Sequence, residues 1–529
     1  MLTAQKKKVI FRKADTKRCY TFDQLKEATI AFGKGLQETY NFRKGDVLAL
    51  YTPNSIDTPV VMWGTHWAGG IVSPANPAYT VEELSFQLGN SGSKLLATQV
   101  AVLPAAMEAA NKVGIPTERI LLIDDETDPV QGRNIRHFSS ILSTSPQYEM
   151  RAVNPSEDLA FLVYSSGTTG VPKGVRLTHR NMVADVLQWN STDGKELSWQ
   201  QNDRILAFLP FFHVYGMTYQ VHFTMYKGLE VVVMSRFDLE KWCSYVQEYS
   251  ATLSLVVPPV VLLLSKHPIV EKYDLSSLRM MMSGAAPLTH ELVGALWARL
   301  GKPVKQSYGL SEAGPLAHSQ SWDDWDKHMG SVGKLAPNME ARYMSMPDDG
   351  SEPQQLVPGE VGELYLKGPN IFKGYHNNAA ATADCLSPDG WFRTGDVGYQ
   401  DAHGNFYITD RVKEMIKFKG FQVAPAELEG ILVDNENVDD VAVIGVEWPE
   451  QHTEIPKAFV VRSAKSKASG RSAEEEAGNI ARWLEAQVAP HKRLRGGVKF
   501  VDSVPKSATG KILRRILKKQ EQEEPKAKL

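Results

Sequence analysis

The sequence predicts an α/β fold: a large amino-terminal domain of parallel α/β sheets with a small β-barrel, joined by a hinge to a small α+β domain. The first observation is a series of four apolar runs, 24 or 25 residues apart, which begin at Leu229, Leu253, Leu278 and Pro303. Helix-like segments separate these runs, at residues 239–249 and 288–300 among others. Strands and helices that alternate at this spacing indicate βαβ units and therefore a parallel sheet.

The second observation is a change of pattern towards the end of the chain. Residues 359–368 alternate polar and apolar side chains and are rich in glycine, which indicates antiparallel strands of a small barrel. Later apolar runs surround one helical stretch, residues 473–488, and the polar residues 463–472 indicate a solvated loop. We therefore predict an amino-terminal domain of residues 1–411 and a mobile carboxy-terminal domain of residues 412–529.

The first 150 residues or so fit the same class. Residues 21–39 have a helical pattern, and residues 46–51 and 94–99 are short apolar runs that indicate strands.

Parallel α/β sheets bind their ligands beyond the carboxyl ends of the strands. In this chain those ends carry Arg236, Pro258, Ser283, Gly284, Ala285, Ser307 and Tyr308. The topology alone therefore predicts a ligand site at this edge of the sheet.

Composition excludes several classes of function. The 529 residues are 43% hydrophobic and carry a formal net charge of −2, so bulk charge favours neither nucleic acid nor an anionic membrane as the partner. The longest apolar stretch, residues 253–264, is too short to span a bilayer and contains two prolines, so no transmembrane segment is predicted. Cys19, Cys243 and Cys385 lie far apart without a CxxC pair, which indicates neither a disulfide framework nor a zinc site.

The last three residues, Ala527, Lys528 and Leu529, resemble the Ser-Lys-Leu peroxisomal address. The charged residues before them would leave this tail accessible to a receptor. We expect a peroxisomal import receptor as a partner and the peroxisome as the location, with the cytoplasm as the alternative.

One segment, YSSGTTGVPKGV at residues 164–175, combines glycines, hydroxyl side chains and a lysine after a short apolar run. Glycines let the backbone approach an anion, hydroxyls donate hydrogen bonds and lysine adds charge, so the segment suits a polyphosphate. Its candidate ligands are Ser165, Ser166, Gly167, Thr168, Thr169, Gly170 and Lys173. A Walker-type loop would close on Gly-Lys-Ser/Thr, which is absent here. From composition alone, an ordinary mobile loop is the alternative interpretation.

This segment resembles the phosphate loop of the adenylate-forming superfamily, and later motifs follow in the family's order. They are LPFFHVYG at 209–216, QSYGLSEAG at 306–314, WFRTGD ending at Asp396, KEMIKFKGFQVAPAELE at 413–429 and PKSATGKILRR at 505–515. The chain is identified as a member of this superfamily, similar to 4-coumarate–CoA ligases and beetle luciferases. The resemblance implies an acid–CoA ligase that forms an acyl-adenylate and pyrophosphate from an acid and ATP, then acyl-CoA and AMP.

The resemblance also implies roles for residues of the nucleotide site. Catalytic roles are expected for Lys511, Lys417, Glu312 and His213, with Glu312 as the ligand of Mg²⁺. Lys511 would bridge the acid and the α-phosphate, and Asp396 would hold the ribose hydroxyls. Further contacts to ATP or AMP are expected from Gln306, Ser307, Tyr308, Ser311, Arg411 and Lys413. Ser311 replaces the family's usual threonine and keeps the hydroxyl.

For CoA and the acid, the resemblance implies contacts at other positions of the chain. Contacts to CoA are expected from Arg236, Lys419 and Gly420, where Arg236 replaces a lysine of coumarate ligases. The acyl pocket would be lined by Tyr215, Tyr219, Met282, Ala285, Gly309, Pro315 and Leu316, with Gln422 near the acyl carbonyl. Such a mostly apolar pocket suits an aryl, phenylpropanoid-like acid or a medium-chain acid.

Alternatives remain at this stage. Without the resemblance, His213 would be interpreted as a core histidine and the lysines of residues 413–419 as a solvated face. For the whole chain, the alternatives are an adenylating enzyme whose acceptor is not CoA, a luciferase-like enzyme, or a non-catalytic nucleotide-binding protein.

Overall fold

The computed structural model of the protein describes residues 7–126, 135–165, 172–347, 351–419, 421–451, 453–507 and 510–523. Two large sheets of mainly parallel strands and a four-stranded antiparallel sheet come before residue 412, and smaller sheets follow. This architecture confirms the predicted α/β class, with a large amino-terminal and a small carboxy-terminal domain.

The larger sheet has nine strands and includes the four predicted from the apolar runs. Its strands, in spatial order, are Lys334–Leu335, Leu316–Ser319, Val304–Gly309, Met280–Ser283, Leu253–Val256, Arg204–Ala207, Glu230–Val233, Val9–Lys13 and Cys19–Thr21. The central strands are parallel, with Leu253 opposite Met280 and Met281 opposite Val304. Their carboxyl ends therefore reach the same edge of the sheet.

The second sheet has seven strands. In spatial order they are Arg136–His137, Ile120–Leu122, Ser93–Thr98, Val47–Tyr51, Ile71–Ala75, Leu159–Ser165 and Lys173–Thr178. The last two strands are antiparallel and lie on either side of the predicted phosphate loop. Residues 166–171 of that loop lie outside the described part of the chain.

Helices connect these strands. They are Phe22–Tyr40, Thr58–Trp67, Val81–Ser91, Leu103–Lys112, His179–Asp193, Thr224–Lys227, Leu239–Tyr249, Pro258–Lys266, His290–Leu300 and Ala379–Cys385, with a π-helix at Gly216–Phe223. Capping boxes at Thr21, Thr80 and Thr178 fix three of the helix starts, because each hydroxyl accepts from a backbone N–H of the first turn. The predicted helix 288–300 begins at His290 because Thr289 caps it.

The long apolar stretch 253–264 is divided between two elements. Leu253–Val256 is a buried strand, and Pro258 begins the next helix, where its missing N–H costs no hydrogen bond. In the described part of the chain, no helix is long and apolar enough to cross a membrane.

The glycine-rich region predicted as a small barrel belongs to a four-stranded antiparallel sheet. Its strands, in order, are Glu340–Met344, Gly362–Lys367, Phe392–Gln400 and Phe406–Arg411. A backbone bridge from Gly333 to Phe406 connects it to the edge of the nine-stranded sheet. The last strand thus ends at Arg411, next to the cavity described below.

Beyond residue 411 the chain forms two small sheets and four helices in its described part. The strands are Ile416–Phe418 with Phe421–Val423, and Val438–Trp448, Thr453–Arg462 and Val498–Phe500. The helices are Pro425–Val433, Ala464–Ala468, Ala473–Glu485 and Arg514–Glu523. The buried apolar clusters here begin at Ile416 and share no residue with those of the preceding region.

The prediction of a solvated loop at residues 463–472 holds only in part. Most of these residues are exposed, but Ser463 caps a short helix, Ala464–Ala468, in which Ser466 is fully buried. The Arg462 guanidinium donates to Ser466, and the Ser466 hydroxyl donates to the buried Glu476 carboxylate. Composition does not reveal that Ser466 forms these hydrogen bonds inside the protein.

Several histidines are buried in the large domain. Burial lowers the pKa of His66 to about 3 and that of His222 to about 4, and it lowers the pKa of His318 to about 3. Neither ring nitrogen of His318 has a hydrogen-bond partner among the described residues. Its ring packs against that of Phe406, with the ring centroids 4.2 Å apart. Each of these rings is therefore neutral in the folded protein near pH 7.

We expect His318→Phe to reduce the acid sensitivity of folding. The pKa of His318 is lower in the folded than in the unfolded chain, so its stability contribution falls as pH drops below about 6.5 and continues to fall towards pH 3. At pH 5 the loss from this one residue is about 2 kcal/mol. Urea unfolding at pH 7 and pH 5 should show a smaller difference for His318→Phe than for the wild type.

His403→Gln, which changes an exposed histidine, is the control and should leave that difference unchanged. If the stability difference between pH 7 and pH 5 is equal in His318→Phe and wild type, His318 does not have the lowered pKa that this prediction requires.

Candidate active site

A cavity of about 800 Å³ lies where the strand ends of the large domain meet a turn of the carboxy-terminal region. Most of the predicted site residues line it: Ser165, Lys173, His213, Tyr215, Ala285, Ser307, Tyr308, Gly309, Ser311, Glu312, Pro315, Leu316, Arg411, Lys413 and Lys511. Ala285, Ser307 and Tyr308 belong to the predicted edge of the parallel sheet, so this edge forms part of the cavity wall. Residues from both sides of residue 411 thus share one cavity.

The wall that is predicted to face the phosphates brings together a cation and a carboxylate from different segments. Lys173 begins the strand after the glycine-rich loop, and Glu312 lies in the short turn Ser311–Ala313. The Tyr375 hydroxyl donates to Glu312 Oε1 at 2.8 Å, and Lys173 Nζ lies 4.9 Å from the Tyr375 ring centroid. Tyr375, which sequence analysis did not single out, therefore contacts both.

A second group of polar side chains surrounds Asp396, which is buried. Arg411 Nε contacts Asp396 Oδ1 at 2.8 Å from the neighbouring strand, and the Tyr308 hydroxyl donates to Asp396 Oδ2. Asp396 raises the pKa of the Arg411 guanidinium further. Burial, followed by the Asp396 charge, raises the pKa of the Tyr308 hydroxyl well above its usual range. Tyr308 thus remains a hydrogen-bond donor and Arg411 a cation throughout the neutral range.

Lys511 reaches the cavity from a tight turn of the carboxy-terminal region. Within this turn the Ser507 N–H donates to the Lys511 carbonyl and the Lys511 N–H donates to the Ser507 hydroxyl, and Gly510 has φ of 80°. A Cβ on Gly510 would lie 3.1 Å from Pro259 Cγ, so the turn packs against the large domain. Burial and then the charge of Arg411 lower the pKa of the Lys511 amine.

His213 and Tyr215 both line the cavity, where Tyr215 is predicted to contact the acyl group. The Tyr215 backbone N–H donates to His213 Nδ1 at 3.3 Å, so the ring proton is on Nε2. Burial, followed by the charge of Lys511, lowers the pKa of His213 to about 4. The histidine therefore enters the cavity as a neutral donor. The Tyr215 hydroxyl donates to the Met282 carbonyl at 3.2 Å, which fixes the ring against this wall.

Tyr219 does not line the cavity. It is fully buried in the π-helix, and its hydroxyl donates to Asp193 Oδ2 at 2.7 Å. Asp193 also forms a fully buried ion pair with Lys305. The Tyr219 ring packs edge-on against Trp189, whose indole does line the cavity. Tyr219 therefore supports the acyl wall from behind, and Met282 likewise lies in a buried strand outside the lining.

Other predicted residues also lie outside the cavity lining. Lys417 and Gln422 are cross-strand partners in the hairpin of the carboxy-terminal region, and Lys419 follows in its turn with φ of 47°. The predicted site residues that do not line the cavity are Gln306, Asp396, Lys417, Lys419, Gln422, Arg236 and Tyr219. Asp396 and Gln306 are buried directly behind the wall, and Arg236 is exposed. Ser166, Gly167, Thr168, Thr169, Gly170 and Gly420 lie outside the described residues.

Two parts of the chain match known protein families. Residues 2–376 match the AMP-binding enzyme family, and residues 427–511 match the AMP-binding enzyme C-terminal domain. The chain belongs to the AMP-binding enzyme family. This match confirms the resemblance to the adenylate-forming superfamily.

Curated relatives of this AMP-binding enzyme extend over most of its length. It is 37% identical over 490 residues to "Probable 4-coumarate--CoA ligase 1" of Dictyostelium discoideum, covering 90% of this chain and 86% of the relative. It is 36% identical over 511 residues to the 4-coumarate–CoA ligase of Pinus taeda, covering 95% of this chain and 90% of the relative. These relatives confirm the prediction of an AMP-forming acid–CoA ligase.

Solved structures share its architecture. ATP-bound MatB of Rhodopseudomonas palustris superimposes with a TM-score of 0.84 and 26% identity, covering 98% of this chain and 96% of MatB. A benzoate CoA ligase of Burkholderia xenovorans superimposes with a TM-score of 0.84 and 23% identity, over 97% of each chain. The second likeness, at this identity, concerns the fold alone.

Sequence analysis missed several residues of the AMP-binding enzyme's cavity. Tyr375, Trp189, Asp384 and Arg393 all line it. Tyr375 meets Glu312 across 63 residues of sequence, and no local pattern around it indicates that contact. Trp189 has helical spacing typical of a core residue, so only the three-dimensional arrangement identifies it as part of the wall.

The contact between Gly510 and Pro259 predicts how the AMP-binding enzyme responds to Gly510→Ala. The added Cβ meets Pro259, and alanine disfavours φ near 80°, so the Lys511 turn should no longer dock. Acyl-adenylate formation from acid and ATP should fall by about 10²-fold, approaching the loss in Lys511→Ala, since one preorganised electrostatic donor is worth about 10²–10³ in rate. Conversion of preformed acyl-adenylate to acyl-CoA should be retained. Pyrophosphate release and thioester formation are measured separately.

Gly470→Ala is the matched control, because Gly470 also has positive φ, at 70°, but a Cβ there meets nothing within 4 Å. Loss of both half-reactions in folded Gly510→Ala, with Gly470→Ala unaffected, would contradict a role confined to adenylation.

Proposed function

We propose that the enzyme activates an aryl, phenylpropanoid-like carboxylic acid as its adenylate in this cavity and transfers the acyl group to CoA. The observation that carries the proposal is that Lys173, Arg411 and Lys511 line the same cavity as the aromatic side chains of Trp189, Phe212 and Tyr215. In the first step a carboxylate oxygen of the acid attacks the α-phosphorus, and pyrophosphate leaves. In the second step the CoA sulfur attacks the acyl carbonyl, and AMP leaves.

In the first step the protein mainly positions groups and stabilises charge. Lys511 would place its ammonium between the acid carboxylate and the α-phosphate, where negative charge must approach negative charge. Burial and the charge of Arg411 lower the pKa of Lys511, so activity that depends on its charge should decline at a lower alkaline pH than an ordinary lysine would allow. His213, neutral with its proton on Nε2, can donate to an oxygen of the bound acid.

We also propose that Glu312 holds Mg²⁺. Mg²⁺ is usually bound through one or two carboxylates together with substrate phosphates, rather than by a complete protein cage. Glu312 supplies one carboxylate in the phosphate-facing wall, and the described residues contain no cluster of three or more metal-ligating side chains. A metal that arrives with the nucleotide fits this arrangement. When bound, it would neutralise charge on the phosphates.

The second step requires a different placement of the carboxy-terminal domain. The hairpin with Lys417, Lys419 and Gln422 lies outside the cavity while Lys511 lies in it. We propose that the domain rotates about Lys413 after adenylation, which withdraws Lys511 and brings the hairpin, with Gly420, to the acyl-adenylate. Arg236, exposed near the strand ends, would then contact a phosphate of CoA.

The choice of an aryl acid rests on the lining of the acyl part. Trp189, Phe212, Tyr215 and Leu316 line the cavity, Tyr215 and Leu316 are predicted to contact the acyl group, and flat aromatic walls favour flat aromatic ligands. The relatives named for 4-coumarate point the same way.

The test is acid-dependent pyrophosphate release with a panel of cinnamic, benzoic, arylacetic and medium-chain fatty acids, with and without CoA. Aryl acids should give the highest rates, and acyl-CoA and AMP should appear together. Adenylation without thioester formation would indicate an acceptor other than CoA, and no acid-dependent release would refute the proposal.

Tyr215→Ala should shift the order of acids in this panel towards bulkier ones. The ring of Tyr215 lies against Gly284 and narrows the acyl part of the cavity, so its removal creates space. Differences of one methylene are worth about 1–3 kcal/mol, so we expect altered kcat/KM ratios and not an absolute switch. Tyr226→Ala, an exposed tyrosine outside the cavity, is the control. An unchanged order in Tyr215→Ala would exclude Tyr215 from acid selection.

We further propose that Ala527, Lys528 and Leu529 direct the enzyme to peroxisomes through the import receptor; these residues lie outside the described part of the chain. A fluorescent protein that carries residues 518–529 should enter peroxisomes, and one that carries residues 518–526 should remain cytosolic. A cytosolic signal from both fusions would refute the address.

A further inference from the structure

Residues 372–376 are fixed by the two segments that carry Lys173 and Glu312. They run beside the strand Lys173–Thr178, where the Lys373 N–H donates to the Arg176 carbonyl and the His376 N–H donates to the Gly174 carbonyl. The preceding residue, Phe372, donates its N–H to the Glu312 carbonyl at 2.9 Å. The backbone of Tyr375 is therefore held in register with both charged residues.

The Tyr375 side chain lies between those two charges. Its hydroxyl donates to Glu312 Oε1 at 2.8 Å, and the face of its ring receives the Lys173 ammonium at 4.9 Å from the centroid. Phe372 packs against the ring at 5.0 Å and limits its movement. Within the described residues, no ion pair joins Lys173 to Glu312.

We propose that Tyr375 is a positioning residue that prevents Lys173 and Glu312 from pairing in the nucleotide-free site, so that both remain available to a magnesium–nucleoside triphosphate. This inference rests on the proposed role of Glu312 and on the triphosphate as the ligand of Lys173.

A spacer is useful here because the two charges would otherwise neutralise each other. An ammonium and a carboxylate that share a partly buried wall attract strongly, and a ligand would have to break their contact before binding either one. An aromatic face and a neutral hydroxyl hold the same two groups more weakly. A phosphate of the nucleotide can then bind Lys173 in place of the ring. The metal can bind Glu312 through its second carboxylate oxygen, which is not bonded to Tyr375.

The two halves of the Tyr375 side chain can be tested separately. Tyr375→Phe keeps the ring and removes the hydroxyl, so the affinity for metal-free ATP should stay near the wild-type value. The Mg²⁺ concentration that half-saturates the enhancement of ATP binding should rise about tenfold, as is typical when a group that orients a metal ligand is lost. Calorimetry with ATP in EDTA, and then across a Mg²⁺ series, measures both quantities without acid or turnover.

Tyr375→Leu removes the spacer as well as the hydroxyl. Lys173 and Glu312 should then pair, and the affinity for metal-free ATP should fall about tenfold because that pair must be opened. Adding Glu312→Gln to Tyr375→Leu should restore the metal-free affinity, since an amide no longer holds the ammonium. A purely structural role of Tyr375 predicts no such rescue.

Tyr399→Phe is the matched control, because this tyrosine stacks on Tyr407 outside the cavity and should leave both affinities unchanged. If Tyr375→Leu does not fold, the Mg²⁺ response of Tyr375→Phe still decides the role of the hydroxyl.

Two outcomes would overturn the inference: unchanged ATP and Mg²⁺ binding in the Tyr375 variants, or loss of metal-free binding in Tyr375→Leu without rescue by Glu312→Gln. Failure of the proposed function differs from both, because the wild-type protein itself would then bind no nucleotide or release no pyrophosphate with any acid.

Discussion

The ion pair between Asp396 and Arg411 is the contact on which the arrangement of the cavity depends. These residues face each other across the last two strands of the antiparallel sheet, and the Tyr308 hydroxyl from the nine-stranded sheet donates to the same carboxylate. Two sheets are thereby fixed relative to each other at the cavity wall. Arg411 is also the last residue of its strand, so the chain that leads to the carboxy-terminal domain starts from this fixed point. The charge of the same guanidinium also contributes to the lowered pKa of Lys511, the lysine of the carboxy-terminal domain that lines the cavity.

A second group of charges lies next to the boundary between the two domains, and its ion pairs are within the carboxy-terminal one. Arg514 pairs with Glu414, three residues after Arg411, and with Glu429 at 2.6 Å, and its Nε donates to the Val443 carbonyl. Burial raises the pKa of Asp410 to about 6, and its carboxylate accepts the Ala426 N–H at 2.9 Å across the hinge. This hydrogen bond joins the last strand of the large domain to the first helix of the carboxy-terminal domain, so the rotation proposed above would have to change it.

The strands and helices of the large domain could be predicted from the sequence because their signals are local. The four apolar runs became parallel strands, and Thr21 and Thr289 marked helix starts close to those expected. Tyr219, predicted for the acyl pocket, does not line the cavity, because its hydroxyl is bonded to Asp193, which forms a buried ion pair with Lys305 in the folded chain. The contact of Tyr375 with Glu312 was not predictable for the same reason, since a hydrogen bond between distant segments has no periodic signal. Lys511 was singled out because the motif at residues 505–515 resembles one of the family, whereas the spacing of apolar and polar residues gives no sign that it lines the cavity.

The residues that line the cavity bear on which acid the proposed reaction would accept. Lys173, Arg411 and Lys511 line it together with Trp189, Tyr215 and the neutral His213, and we propose that the three cations face the phosphates and the other three the acyl group. Lys305, the cation behind this acyl wall, is fully buried and already paired with Asp193. In that arrangement a second carboxylate on the acid would lie against Trp189, Tyr215 and neutral His213, none of which is a cation, and its desolvation would not be compensated. In the proposed reaction the single carboxylate of a monocarboxylic aryl acid would instead lie towards Lys511, where it must react.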